Sequence, residues 1–304
     1  MDYLRMIRPI NLLLLLLMQW VIKFGFFEPL GVQVAMDTLE FSLLAIATLS
    51  IAAGGNVIND IHDVVIDAIN KPKKVVVGKT ITEKAAYNVY IILNIVGVGS
   101  GFVLANRLGH PGLAAVFIII SALLYSYATY LKSMLLVGNL VISLLVASSL
   151  LVCIIFDIYP AIQTELMPLQ KTAATLVLWY ALWAFYVNLM RELVKDIQDV
   201  NGDKKGERNT LPIVLGRLRV RNIVFAMAIS AMISLLLYAY TNLYDYTLAL
   251  GYVVFLICGP LLYFCIRAWS AKKKRDFAAM SITLKILMFT GVVSIYFFAE
   301  ILTH

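Results

Sequence analysis

The chain has 304 residues, 62% of them hydrophobic and 14% charged, with a mean hydropathy of +0.88 and a net charge of +7. Soluble domains run near 45–50% apolar and about 25% charged, which excludes an ordinary soluble enzyme, a disordered chain and a disulfide scaffold and leaves a polytopic membrane protein. A bilayer crossing needs roughly 20 apolar residues, and nine runs qualify in chain order. They are Ile10–Phe27, Phe41–Ile58, Ala85–Ala105, Gly112–Leu131, Leu135–Phe156, Ala173–Leu193, Ile223–Tyr240, Thr247–Trp269 and Ala279–Ile301. Lys23 interrupts the first run and no small-residue cleavage site stands out, so that run reads as a retained helix and not a signal peptide. The expected fold is all-α: one domain over residues 1–304, a bundle of nine transmembrane helices.

Nine crossings put alternate connections on opposite sides, and the basic residues then sort. Twenty of the 25 lie on the side of the N-terminus, in groups around Arg5, Lys71–Lys84, Lys132, Lys195–Arg221 and Arg267–Arg275. The other side carries Arg107 and Lys171, while Lys23, Arg191 and Lys285 fall in or at the ends of spans. The positive-inside rule predicts a cytoplasmic N-terminus and an outer C-terminus. The net charge is thus a topology signal for a protein of the cell (inner) membrane, and no nucleic-acid partner is expected. No obligate protein partner is evident either. Cys153, Cys258 and Cys265 lie in apolar runs and read as packing residues. His62, His110 and His304 are scattered, which argues against a histidine metal centre.

The two longest charged connections on the basic side, Asn59–Lys84 and Lys195–Arg221, each begin in an acidic cluster. Asp60, Asp63 and Asp67 follow the second span; Asp196, Asp199 and Asp203 follow the sixth. Both sets are spaced i, i+3, i+7 at a constant offset of 136 residues, and one turn upstream Asn56 matches Glu192 at the same offset. On a continuous helix each set of four lies within about 60° of arc, although Gly202 predicts that the second helix frays before Asp203. The bland reading is solvated acids at helix ends. Helix C-termini disfavour negative charge and acids one turn apart repel, so two matched stripes in that position point to function.

Two facing stripes of hard oxygen ligands suit Mg2+, which is held by one or two carboxylates and completes its shell with water and substrate phosphate oxygens. The metal candidates are Asn56, Asn59, Asp60, Asp63, Asp67, Glu192, Asp196, Asp199 and Asp203. Carboxylates alone repel a diphosphate, and metal ions invert that. Lys73, Lys74, Lys132, Lys195 and Arg208 are the candidates to finish neutralising it. Lys132 stands out as the sole charge in the short connection between the fourth and fifth spans.

These residues resemble the UbiA superfamily of intramembrane prenyltransferases. Asn59, Asp60, Asp63 and Asp67 match its first aspartate motif, and Asp196, Asp199 and Asp203 its second. Arg8-Pro-Ile-Asn11, Tyr130-Leu-Lys132 and Thr210-Leu-Pro212 extend the match in order along most of the chain. Asn70-Lys-Pro72 and the stretch from Arg191 to Asp203 look most like the branch that transfers geranylgeranyl to geranylgeranylglycerol phosphate. Members there usually read Pro-x-Arg-Pro where this chain has Pro72-Lys-Lys-Val75, an ammonium in place of a bidentate guanidinium.

The resemblance implies Mg-dependent ionisation of an allylic prenyl diphosphate at the cytoplasmic side. Asp60, Asp63, Asp196, Asp199 and Lys132 would be catalytic, and Asn11 would stand at the acceptor. The apolar interior would hold the prenyl tail, and Tyr125, Tyr127 and Tyr186 are candidates to lie against the allylic cation. The expected acceptor is a polyprenylglycerol phosphate, with an aromatic quinone precursor as the alternative. From a different class, a cation-coupled transporter could use the same acids, and the repeat could be read as its duplication. Its acids belong at mid-membrane, however, and here both clusters sit at helix ends.

Overall fold

The computed structural model describes residues 2–303, so His304 lies outside the described residues. Among them nine helices are long and apolar enough to cross a membrane, as the composition implies. They are α1 (Pro9–Phe27), α2 (Thr38–His62), α3 (Glu83–Arg107), α4 (Pro111–Thr129), α5 (Val137–Ala161), α6 (Pro168–Lys205), α7 (Arg217–Asn242), α8 (Thr247–Ser270) and α9 (Lys274–Phe298). No strand occurs among the described residues beyond one isolated bridge, Val77 with Ile81. Many large apolar side chains face outward, Ile10, Phe102, Leu237, Phe255 and Ile286 among them, the surface that lipid, unlike water, leaves at no cost.

α2, α3 and α4 pack as one group and α6 to α9 as another; α5 packs on α6 and α4, and α1 touches α2, α5 and α9. The largest core cluster, built on Val194, Val224, Phe264 and Met280, joins α6 to α9. Local signals fix several helix starts. Asp37 accepts from the Glu40 backbone N–H at 2.8 Å while Glu40 accepts from the Asp37 N–H at 2.9 Å, a reciprocal cap on α2. Thr82 caps α3 by accepting from the Ala85 N–H, and Pro168 opens α6 where no backbone N–H is needed.

Two departures from the sequence reading matter for the site. α2 stops at His62; Asp63 sits at a break, and the chain restarts as a short helix, Val64–Asn70. The single stripe expected of Asn56, Asp60, Asp63 and Asp67 is therefore interrupted. α6 does the reverse and runs through Gly202 to Lys205, so the fraying expected before Asp203 does not occur. Packing explains it: Asn70 lies against Gly202, its Oδ1 accepting from the Gly202 N–H at 3.0 Å and its Nδ2 donating to the Asp199 carbonyl at 2.9 Å. A Cβ on Gly202 would stand 2.6 Å from Asn70 Cγ. Glycine is required there for close approach. At about 1.5 Å per residue, a helix of 38 residues outruns a hydrocarbon core of about 30 Å, and its surplus turns carry the second acidic cluster.

At the opposite end of the bundle, wide turns at Lys23–Phe27 and Ile154–Ile158 bring together Lys23 and Asp157. The Lys23 ammonium, 2% exposed, lies 3.1 Å from Asp157 Oδ2 and donates to the Met36 carbonyl at 2.7 Å. Asp157 in turn accepts from the Met36 N–H at 2.8 Å, and its carbonyl accepts from the Ala35 N–H. The segment between α1 and α2 is thereby clamped onto α5.

Candidate active site

The two acidic clusters meet at one end of the bundle, and a basic or amide group stands beside each carboxylate. Asp60 accepts from Arg8 Nη2 at 2.5 Å. Asp63 Oδ1 accepts from Lys132 Nζ at 2.6 Å and from Arg208, while its Oδ2 accepts from Asn59 at 2.9 Å. Arg208 also reaches Asp203 at 3.3 Å, so one guanidinium ties the first motif to the second. Asp199 accepts from Lys71 Nζ at 2.6 Å, and Lys71 lies 3.9 Å from Asp67. Glu192 accepts from Lys195 at 2.8 Å and contacts Arg191 at 3.3 Å. Asp196 differs: its partner is the Asn139 amide, at 2.8 Å.

Burial alone would raise the Asp63 carboxyl, but Lys132 and Arg208 overcome it and hold Asp63 below the usual carboxylate range. Burial wins at Asp67, where Lys71 is distant and Asp63 and Asp199 add like charge, so its pKa lies above the ordinary value. Lys132 is pushed below the usual lysine value by burial, against the pull of Asp63 and with help from Arg208.

Backbone geometry holds these cations. Arg8, Leu136 and Glu207 are the non-glycine residues with positive φ among those described, at 57°, 62° and 56°. Each costs on the order of 1–2 kcal/mol, and each sits at a cation: Arg8 itself, the exit from the Lys132 turn, and the residue before Arg208. Gly138 lets α5 start against that turn, since a Cβ there would lie 2.6 Å from Lys132 Cα.

From this polar end a cavity of about 1450 Å³ runs into the bundle. Asn59, Asp60, Asp67, Lys71, Glu192 and Lys195 line its mouth, and its depths are lined by residues such as Leu176, Tyr180, Val253 and Phe298. Of the residues expected from the sequence, Lys73, Lys74, Asn11 and Asn56 also face it. Asn56 donates to the Ile7 carbonyl at 3.0 Å and Asn11 accepts from Lys285 at 2.7 Å. Tyr127 lines the cavity; Tyr125 and Tyr186 do not, Tyr125 stacking on Tyr90 and Tyr186 bonding Met227 and Ser230 on α7. Arg8, Lys71 and Asn139 were missed as site residues. Arg8 belongs to the Arg8-Pro-Ile-Asn11 signature, and Lys71 is the first of the basic run after Asp67, but nothing in the sequence marks Asn139.

The donor set is hard oxygen only, as Mg2+ prefers, and Asp199 Oδ1 is buried without a hydrogen-bond partner. As arranged, no three acidic, histidine or cysteine side chains among the described residues converge on one point, because basic groups stand between them. The set fits a metal bound together with an anion that draws those cations off the carboxylates. The cysteines are buried and unpaired, as expected.

The UbiA prenyltransferase family profile matches residues 29–291. A digeranylgeranylglyceryl phosphate synthase of Methanospirillum hungatei is 30% identical over 298 residues, covering 95% of this chain and 95% of that one. The enzyme of the same name from Methanopyrus kandleri is 34% identical over 193 residues, which span 62% of this chain and 64% of that one. Among solved structures, a UbiA homolog from Archaeoglobus fulgidus bound to DMAPP and Mg2+ superposes with a TM-score of 0.59 at 16% identity, over 97% of this chain and 99% of the other. That likeness is one of fold.

Proposed function

The chain belongs to the UbiA prenyltransferase family, an integral membrane enzyme, and we propose that it transfers a geranylgeranyl group from its diphosphate to the free glycerol hydroxyl of geranylgeranylglyceryl phosphate. The observation that carries this reading is the meeting of two acidic clusters at the polar end of an apolar cavity of about 1450 Å³, with Asp60, Asp67 and Glu192 on the cavity wall. Ligand pockets commonly run to about 300–1,000 Å³, so this one has room for a long prenyl tail and a lipid acceptor together. The name borne by relatives similar over nearly the full chain supports the choice of acceptor.

Asp60, Asp63, Asp67, Asp196, Asp199 and Asp203 would hold Mg2+, with Asn59 and Glu192 beside them. Bound there, the metal neutralises the diphosphate and stabilises charge on its leaving oxygen. Lys132 and Arg208, now on Asp63, and Lys71, now on Asp199, stand within reach of the same anion and supply preorganised positive charge where negative charge develops. The allylic C1–O bond breaks with its electron pair leaving on diphosphate. The acceptor oxygen then forms the ether bond to C1 and its proton is released. Tyr127, on the cavity wall, is the aromatic that would lie against the cationic carbon, and the apolar walls would keep water from it. The basic, acid-bearing end is assigned to the cytoplasmic side of the cell membrane, from the charge distribution.

The test is incubation of pure protein with Mg2+ and geranylgeranyl diphosphate, offered geranylgeranylglyceryl phosphate or an aromatic acid and read by mass spectrometry. The ether product with loss of all turnover in a chelator is expected. Product from the aromatic acid alone would sink the lipid acceptor and leave the metal chemistry standing.

A further inference from the structure

Three lysines that face the cavity make no ion pair among the described residues: Lys73 and Lys74, in the turn after the Val64–Asn70 helix, and Lys285, which alone of the three lies inside a span. Lys285 lies within α9, eleven residues past Lys274 and so about 16 Å along the helix. Its ammonium donates to Asn11 Oδ1 at 2.7 Å, and no carboxylate among the described residues makes an ion pair with it. Arg191 of α6 lines the same cavity. It touches Glu192 through Nη1 at 3.3 Å, but Glu192 is already held by Lys195, and Arg191 Nε is buried with no partner. Ser281, one turn before Lys285, adds a hydroxyl on the cavity face. Ionisable groups inside a membrane span are costly and mark ligand sites by default.

We propose that Lys285 and Arg191, with Asn11, form a second anion subsite, which binds the phosphate monoester of the lipid acceptor apart from the end that takes the diphosphate. The proposal rests on the reaction given above and adds to it where the acceptor's headgroup sits. A phosphate monoester offers three acceptor oxygens to a guanidinium fork and a point-charge ammonium. The placement suits the chemistry. Arg8 immediately precedes α1 and Asn11 lies in its first turn, so the Lys285–Asn11 contact lies about one turn deeper than the Arg8–Asp60 pair. Glycerol separates the phosphate from the reacting hydroxyl by only two carbons, a span of the same order.

The experiment compares geranylgeranylglyceryl phosphate with its dephosphorylated alcohol as acceptors, in wild type, Lys285→Met, Lys285→Arg and Arg191→Gln, each checked for monodispersity and thermal transition. The expected result is a rise of about tenfold in KM for the phosphorylated acceptor in Lys285→Met and Arg191→Gln. The preference for phosphorylated over dephosphorylated acceptor should fall by a similar factor, the KM for geranylgeranyl diphosphate should move less than twofold, and Lys285→Arg should recover most of the loss. Unchanged preference in both variants, or a rise confined to the KM for the diphosphate, overturns the subsite and leaves the reaction intact. Wild type that alkylates neither lipid overturns the reaction and the subsite with it.

Discussion

Asp63 receives an ammonium and a guanidinium on one oxygen and an amide on the other, which makes it the point where both motifs and the Lys132 turn converge. Asp63→Ala and Asp199→Ala should each lower kcat by a hundredfold or more, the order seen when one preorganised electrostatic partner is lost. Near-wild-type turnover in either variant would defeat their assignment to metal. Lys132→Ala should cost about ten- to a hundredfold in kcat/KM for the prenyl diphosphate, beyond any change in melting temperature; wild-type affinity and turnover would reduce this lysine to a topology charge. The aspartates were legible in the sequence because their spacing is a one-dimensional signal. Arg8 and Lys71 carry no such signal: Arg8 is 52 residues from Asp60 and Lys71 is 128 from Asp199, and only the packed helices reveal those partners.

At the scale of elements, the contact between the Val64–Asn70 helix and α6 sets how the two acidic clusters face each other. Gly202→Ala should push Asn70 away and lower activity by more than tenfold while the nine spans persist in circular dichroism; a variant with full activity would show that the contact does not hold the clusters in place. The sequence suggested the opposite role for Gly202, an end to the helix. A glycine that terminates a helix and one that admits a neighbour look alike until the neighbour, Asn70, is placed. The Lys23–Asp157 pair was invisible for a related reason, since each is a lone charge in an apolar run. Asp157→Leu alone should cost about 3–5 kcal/mol by stranding the lysine, and much of that loss should return in the double variant Lys23→Met/Asp157→Leu, as measured by denaturation in detergent. No recovery in the double variant would mean the two do not act as a pair.

For the whole molecule, the count and order of the spans followed from apolar run length alone, while the helix ends moved where caps and packing decide them, most at α6, which runs twelve residues past Leu193 to Lys205. The cavity was not legible, because which face of each helix turns inward depends on partners the sequence does not order. Reporter fusions in the Lys195–Arg221 segment should report a cytoplasmic location, and an outer location would overturn the assigned orientation.

The clamp on the segment between α1 and α2 also bears on assembly. Lys23 and Asp157 are 134 residues apart, and at roughly 5–20 residues per second of synthesis the lysine waits about 7–27 s for its carboxylate. Glu28, at 3.8 Å and half exposed, is the partner nearest in sequence meanwhile. Three further spans are made before α5, so the clamp on α1 closes only when the fifth is complete. The first helix to enter the membrane is thus clamped only by the fifth, and a nascent chain stopped before Asp157 should leave α1 loosely held.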